Sequence, residues 1–381
     1  MNGRRVAALF RRVVQEIRRD RPSLGLLFVA PIVITGLLTF ILREGVTPTA
    51  DAVAVNQAGA PGAAITSALR GALAVQDGTL NVVADEATAR KAVQDGTASV
   101  AIILPKDLTA GASATITVIT NGLDLSGEAN QISAVQKALI STVMAASGFG
   151  LPAVEHAIVY GTPSDDPMTN FAPAIVGFFT YFFVYLLTGV SFLRERTGGT
   201  LERLMATPVS RGEVVVGYTL GFGIFAIVQV AILLTWVLGQ VHVPSIGPLP
   251  AFALGLGVSI AGSPALAFLV VVVLALGAVS LGIFLSTFAR TELQIIQFIP
   301  IVLVPQFLLS GVLFPVSSLP EIVKPFVPLM PLHYAVDGLR QVFVRGADVG
   351  VQALQVDLLV LLLVAVLFAS LAALTIRRDV V

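Results

Sequence analysis

The stretch FLRERTGGTLERLMATPVSRGEV, Phe192 to Val214, packs four arginines, three glutamates and a Gly-Gly pair into one short loop of an otherwise apolar chain. These residue types at this spacing serve recognition by charge-assisted hydrogen bonds rather than bond-making, since no nucleophile sits beside a base. Gly198 and Gly199 break an incoming helix, and Thr200 is placed to cap a new one. Leu201, Leu204 and Met205, at i, i+3 and i+4, give that helix an apolar stripe flanked by Glu202 and Arg203. Thr207 before Pro208 ends it, and Ser210 to Glu213, S-R-G-E, reads as a capping box for the next helix. Two readings of the loop stay open on these grounds. It either docks into a groove on another protein, or it is a basic loop that fixes topology while its helix lies against a membrane.

Other residues with chemical potential are scattered. With no cysteine, the chain has no disulfide, thiolate metal site or cysteine nucleophile. His156, His242 and His333 lack the spacing of a zinc cluster and read as local hydrogen-bonding residues. Asp77, Asp85, Glu86, Asp95 and Asp124 are dispersed beside turn-type neighbours, where acidic residues act as caps. His333, Asp337 and Arg340 lie one turn apart without a nucleophile or metal ligand to accompany them. No G-x-x-x-x-G-K-[ST] stretch occurs, so these residues contain no cradle for ATP phosphates. Glu292 and Asp357 fall only at span ends, which argues against an ion relay within the spans. Gly217 and Gly221 form a G-x-x-x-G read as helix packing within the subunit.

The elements that must position this loop follow from composition. The 381 residues are 56% hydrophobic and 12% charged, with a mean hydropathy of +0.90. A soluble domain carries about twice that charge, so the chain reads as an integral membrane protein. Six apolar runs reach the length of a membrane-crossing helix: Leu24 to Leu42, Phe171 to Leu193, Val214 to Leu238, Leu266 to Phe288, Ile295 to Leu313 and Leu354 to Ile376. The Gly- and Pro-rich piece at 249–264 is too broken to span and reads as an outer hairpin, interfacial or re-entrant. Arg4, Arg5, Arg11, Arg12, Arg18, Arg19 and Arg21, the arginines of the loop, Arg290, Arg377 and Arg378 all fall on one side of a six-span arrangement. That side is predicted to be cytoplasmic, with both termini, in a multi-pass protein of the plasma membrane.

The first 22 residues place Val6, Leu9, Phe10, Val13, Val14 and Ile17 on one helical stripe, with arginine pairs on other faces, and predict an interfacial helix closed by Pro22. Residues 23–42 form the first span. Residues 43–170 change to a composition rich in Ala, Gly, Thr, Asp and Asn, and predict a small α/β domain outside the cell. Its strand-like runs begin at Ala52, Leu80, Ala98 and Ala114, and its helix-like stretches cover Ala60 to Gln76 and Asp85 to Gln94. A longer helix capped by Ser126 leads back to the membrane. Residues 171–381 are the five remaining spans. The expected fold class is therefore an all-α polytopic membrane protein of six transmembrane helices with an inserted small α/β extracytoplasmic domain.

The opening stretch, extended to Tyr218, with LSTFARTELQ at Leu285 and LSGVLFPVSSLPEIVKPFVPLMPLHYAVDGLRQV from Leu309, resembles the permease subunit of ABC transporters of the type-2 exporter class, which includes drug-resistance efflux permeases. The resemblance covers most of the chain from the second span onward, in the branch with a large external domain after the first span. It implies a coupling helix at 200–207 that inserts into a separate ATPase subunit, with Arg194, Glu195, Arg196, Thr200, Leu201, Glu202, Arg203, Leu204 and Met205 at that contact. It implies an elbow helix at the N-terminus and paired short re-entrant helices at 319–345, with Pro328, Pro331, His333, Tyr334, Asp337 and Arg340. The five prolines from Pro315 to Pro331 agree, because they forbid a continuous helix there. It further implies two permease chains, identical or homologous, ATP and Mg on the partner subunit and none here, a bilayer and no nucleic acid. The cargo would be a hydrophobic or amphipathic drug, lipid or glycoconjugate. The competing reading is a membrane-anchored receptor or adhesion-type protein whose external domain is the working part.

Overall fold

A computed structural model of the chain describes residues 1–44, 51–74, 79–95, 97–107, 115–120, 153–158, 168–243, 252–312, 316 and 319–376. These fall into two compact units, one made of Met1–Thr39, Ala172–Val312 and Glu321–Val381, the other of Phe40–Phe171 and Leu313–Pro320.

The first unit is built of helices. α1 (Gly3–Arg19) is followed by α2 (Arg21–Glu44), and the chain re-enters through α5 (Met168–Thr197), α6 (Thr200–Met205), α7 (Arg211–Leu238), α8 (Pro264–Ser286), α9 (Glu292–Leu309), a 3-10 helix (Lys324–Leu329), α10 (Pro331–Phe343) and α11 (Gln352–Thr375). Six of these, α2, α5, α7, α8, α9 and α11, are long and apolar enough to cross a membrane. They coincide with the six runs expected from sequence.

Helix ends follow local chemistry. The Glu213 carboxylate accepts from the Ser210 amide at 2.8 Å, while the Ser210 hydroxyl accepts from the Glu213 amide at 3.2 Å, which is the expected capping box at the start of α7. At the far end of α7 the chain forms a small antiparallel hairpin, β6 (Val241–Val243) with β7 (Phe252–Leu254). Amides of Leu256, Gly257 and Val258 then return to the carbonyls of Trp236, Gly239 and Val237. Gly255 makes this turn at φ 92°, and a Cβ there would sit 2.2 Å from the Gly239 carbonyl oxygen. The described part of 249–264 is thus hairpin and extended chain rather than a crossing helix, in line with its broken sequence.

The second unit holds a five-stranded sheet in the order β2-β1-β3-β4-β5, with β1 (Asp51–Asn56), β2 (Thr79–Val83), β3 (Val100–Leu104), β4 (Thr115–Thr120) and β5 (Ala153–Ile158). β1 runs parallel to β2 and β3, β3 is antiparallel to β4, and β4 is parallel to β5. Alternation along each strand sorts side chains onto two faces. Ala52, Ala54, Val100 and Ile102 pack under α3 (Ala60–Ala74) with Leu69 and Leu73, while Val53, Val55, Ala101 and Ile103 pack under α4 (Glu86–Gln94) with Ala89 and Val93. Asp85 caps α4, accepting from the Thr88 amide at 2.7 Å, and that donor holds its carboxyl below the ordinary range. Strand β5 has no counterpart among the runs read from sequence, because Glu155 and His156 interrupt its apolar pattern. Ser126 and its helix, Asp77, Asp124, Pro315, Arg377 and Arg378 lie outside the described residues.

Candidate functional site

α6 is held by backbone breaks at both ends. Gly199, at φ 71°, occupies the N-cap position, where a left-handed residue turns the chain sharply out of α5. Thr200 is therefore the first helical residue, and no side chain caps α6, which corrects the expectation that Thr200 caps it. The Thr207 hydroxyl donates to the Leu204 carbonyl at 2.6 Å and closes the far end.

The apolar stripe of α6 is divided. Leu201 is buried inside the chain, Leu204 and Met205 are half-buried, and Glu202 and Arg203 are exposed. Leu201 does not belong to an exposed stripe, as expected from spacing, because the turn at Gly199 rolls it inward. A cavity of about 730 Å³ opens beside α6, lined by Leu201, Glu202 and Met205, by Phe288 and Arg290 after α8, and by Leu374 near the end of α11.

The charged residues before α6 turn back into the molecule. Arg194 donates Nε to Glu292 at 2.7 Å and Nη1 to Asp20 at 3.3 Å. Arg12 donates Nη2 to both carboxylate oxygens of Glu195, at 2.8 and 2.6 Å, and Glu195 is buried. Arg196 donates to the carbonyls of Ser286, Thr287 and Ala289, covering the orphan acceptors where α8 ends. These three residues brace the loop, and on α6 itself Glu202 and Arg203 are exposed.

α1 packs on α7. Leu9, Val13 and Ile17 are buried, Val6, Phe10 and Val14 half-buried. A Cβ added at Gly217 would meet Leu9 at 2.7 Å, and one at Gly221 would meet Val13 at 2.6 Å. The G-x-x-x-G is thus a packing site within the chain, and one edge of the α1 stripe seats on protein rather than lipid. Glu213 joins the two helices, accepting from the Asn2 amide at 2.5 Å, while Arg5 donates to the Pro208 carbonyl.

The segment 319–345 forms the 3-10 helix and α10, with Pro331 in the first turn of α10. Tyr334 donates its hydroxyl to the Pro328 carbonyl at 3.0 Å, and His333 meets the Tyr334 ring edge-on at 5.3 Å between centroids. Arg340 donates to the Gly311 carbonyl at 2.6 Å. Gln341, which sequence reading passed over, donates Nε2 to Asp337 and to Asp357, each at 2.8 Å. His333, Asp337 and Arg340 thus turn to different partners, and Asp357, although near a span end, is buried. Gln306 likewise links α9 to its neighbours, donating to the Tyr181 hydroxyl at 2.8 Å and accepting from the Leu332 amide at 3.1 Å. A buried glutamine at helical spacing is distinguishable from a surface one only by the apolar run around it, and that run is the one signal the sequence offers for Gln306.

The family model described as ABC-2 family transporter protein matches residues 22–374. Among curated proteins, the chain is 31% identical over 218 residues to ABC transporter G family member 20 of Dictyostelium discoideum, covering 57% of this chain and 28% of that protein. It is 29% identical over 196 residues to the inner membrane transport permease YhhJ of Escherichia coli, covering 51% and 48%. It is 25% identical over 204 residues to the linearmycin resistance permease protein LnrN of Bacillus subtilis, covering 52% and 48%. The alignments span about half or less of the length of these relatives. The family match runs through all six apolar helices, α6 and α10 alike, and the chain belongs to the ABC-2 transporter family of multi-pass membrane proteins.

Proposed function

We propose that this chain is the transmembrane permease subunit of an ATP-driven exporter, moving a hydrophobic or amphipathic substrate outward with a separate ABC ATPase and a second permease chain. ATP and Mg would be held on the ATPase subunit. The observation that carries the reading is α6 itself, a short helix braced at Arg194, Glu195 and Arg196, with Glu202 and Met205 lining a cleft and Leu204 and Arg203 open to the surface. A rigid amphipathic helix beside a groove suits insertion into a partner surface, where a few central apolar residues carry most of the binding energy. Movement of the ATPase pair would reach the spans through the three braces. The names of the similar proteins, a transport permease and a linearmycin resistance permease, agree with a transport role.

In this reading the α1 side faces the cytoplasm, the 3-10 helix and α10 form the outer re-entrant segment, and residues 43–170 form an extracytoplasmic α/β domain. The arginine bias supports that orientation. The test is copurification of an ABC ATPase with the intact chain from its native membrane, followed by ATP hydrolysis in proteoliposomes. Absence of an ATPase from the purified complex, with the chain folded, would refute the proposal.

A further inference from the structure

Between α1, α5 and α7 lies a cavity of about 150 Å³, lined by Glu16 of α1 and Asp20 at its C-cap, Ser191, Arg194 and Glu195 of α5, and Tyr218 and Phe222 of α7. Its polar groups are arranged as a floor and a rim. Glu195 and Tyr218 are buried, with 4% and 1% of their surface exposed, whereas the Glu16 side chain is 53% exposed and Asp20 30%.

The charges around it do not balance. Arg194 is shared by Asp20 and Glu292, and Arg12 is taken by both oxygens of Glu195, standing 4.0 Å from Glu16. Among the described residues Arg12 is the ion-pair partner of Glu16, and it is held more closely by Glu195. The buried Tyr218 hydroxyl has Glu195 as its neighbour, in a contact that falls short of ordinary hydrogen-bond geometry, and it feels the charges of Glu195, Arg12 and Glu16. A buried hydroxyl whose one partner is poorly aligned keeps acceptor capacity that a ligand donor would satisfy.

We propose that this cavity binds a primary ammonium group, with Glu16, Glu195 and the Tyr218 hydroxyl as its acceptors. An ammonium brings one positive charge and three donors to two carboxylates that share a single guanidinium and to a buried hydroxyl beside them. The rings of Tyr218 and Phe222 line the same space and favour a cation with a short methylene stem. A hard metal ion would require more oxygen ligands than converge here. The ammonium reaches the site either on an aminophospholipid headgroup or as a soluble alkylamine. Arg11, Arg18, Arg19 and Arg21 are exposed on and just after α1, where they suit the phosphate of a headgroup.

With no amine bound, burial first, then a hydrogen bond to Glu195 and the charge of that carboxylate, push Glu16 up to about 7, from an ordinary value of 4.5. Arg12 opposes this shift and Asp20 adds to it; Arg194 and Tyr218 complete the groups around the cavity. A proton then fills the position the ammonium would take. Because the folded value lies above the unfolded one, the contribution of Glu16 is fully present below 4.5 and is lost as pH rises through about 7. Bound amine should flatten that dependence.

The test uses the full chain in vesicles of phosphatidylethanolamine and phosphatidylglycerol, with lipid retention read by native mass spectrometry. Glu16→Gln should lower retained phosphatidylethanolamine about tenfold and Tyr218→Phe about threefold. In phosphatidylglycerol vesicles, octylammonium should raise the unfolding temperature of the wild type and leave Glu16→Gln unmoved. Glu16-dependent lipid retention identifies the headgroup source, and a Glu16-dependent octylammonium shift alone identifies a soluble amine. Equal phosphatidylethanolamine retention by wild type and Glu16→Gln, with neither responding to octylammonium, overturns the proposal. Glu16 is half exposed and caps nothing, so loss of folding does not obscure the outcome.

Discussion

At the scale of single residues, the seat of α1 depends on atoms that are missing. Gly217 and Gly221 present bare backbone, and Leu9 and Val13 fill the space a Cβ would occupy. Gly221→Ala should therefore push Val13 away and destabilise the chain by about 1–3 kcal/mol, the usual range for overpacking. Val13→Ala in the same chain should return much of that loss, since the two changes share one volume and cannot add. Thermal unfolding and protease sensitivity at Arg11 and Arg12 measure both, and equal stability of wild type and Gly221→Ala would show that α1 does not pack there. Gln341 supplies a second case. It alone donates to both Asp337 and Asp357 among the described hydrogen bonds, so Gln341→Leu should destabilise by about 2 kcal/mol through two carboxylates that lose a donor. Asp357→Asn should recover part of it, because one of those charges is gone, and denaturation in detergent measures the difference.

At the scale of elements, α6 separates two functions that spacing alone assigned to one face. Leu201 is buried and forms part of the cleft wall with Met205, whereas Leu204 is half open and outside that lining. Leu201→Asp should destabilise the loop and lower expression, because a buried leucine would lose its packing and a carboxylate would be placed in a site only 4% exposed. Leu204→Asp should leave folding intact and abolish ATPase copurification, and Glu202→Ala, nearer the rim, should cost much less. If Leu204→Asp binds its partner normally, α6 is not the docking element. What was legible here, and what was not, divides along the same line. The six apolar helices, the S-R-G-E box, the break at Gly198 and Gly199, and the strand-helix alternation from Asp51 to Leu104 followed from local patterns of period 3.6 and 2. The braces did not, because Arg12 with Glu195 and Arg196 with Ser286 join residues 183 and 90 apart. Spacing marks a charged residue without naming its partner. The inward roll of Leu201 depends on one left-handed glycine, whose effect on the next turn is a matter of geometry rather than composition.

At the scale of the whole molecule, contacts within the helical unit gather a single set of helix ends. The start of α1 meets the start of α7 through Asn2 and Glu213, Arg12 meets the end of α5 at Glu195, Asp20 and Glu292 share Arg194, and the Thr287 hydroxyl after α8 lies 3.2 Å from that of Thr375 at the end of α11. Residues in direct contact lie on one side of a bilayer, so the N-terminal helix, the α6 loop, the α8–α9 turn and the end of α11 must all share a side. In the proposed orientation the arginine bias puts that side in the cytoplasm, and six crossings would return the chain to it. The chain has no cysteine, so single introduced thiols report position without background. Ala206→Cys, exposed at the end of α6, should react with a membrane-impermeant maleimide only after cells are opened, and Ser67→Cys, exposed on α3, should react in intact cells. The arrangement requires opposite accessibility of the two thiols. Labelling of Ala206→Cys in intact cells would place α6 outside, beyond the reach of any cytoplasmic ATPase, and would remove the docking role of Leu204 along with the orientation.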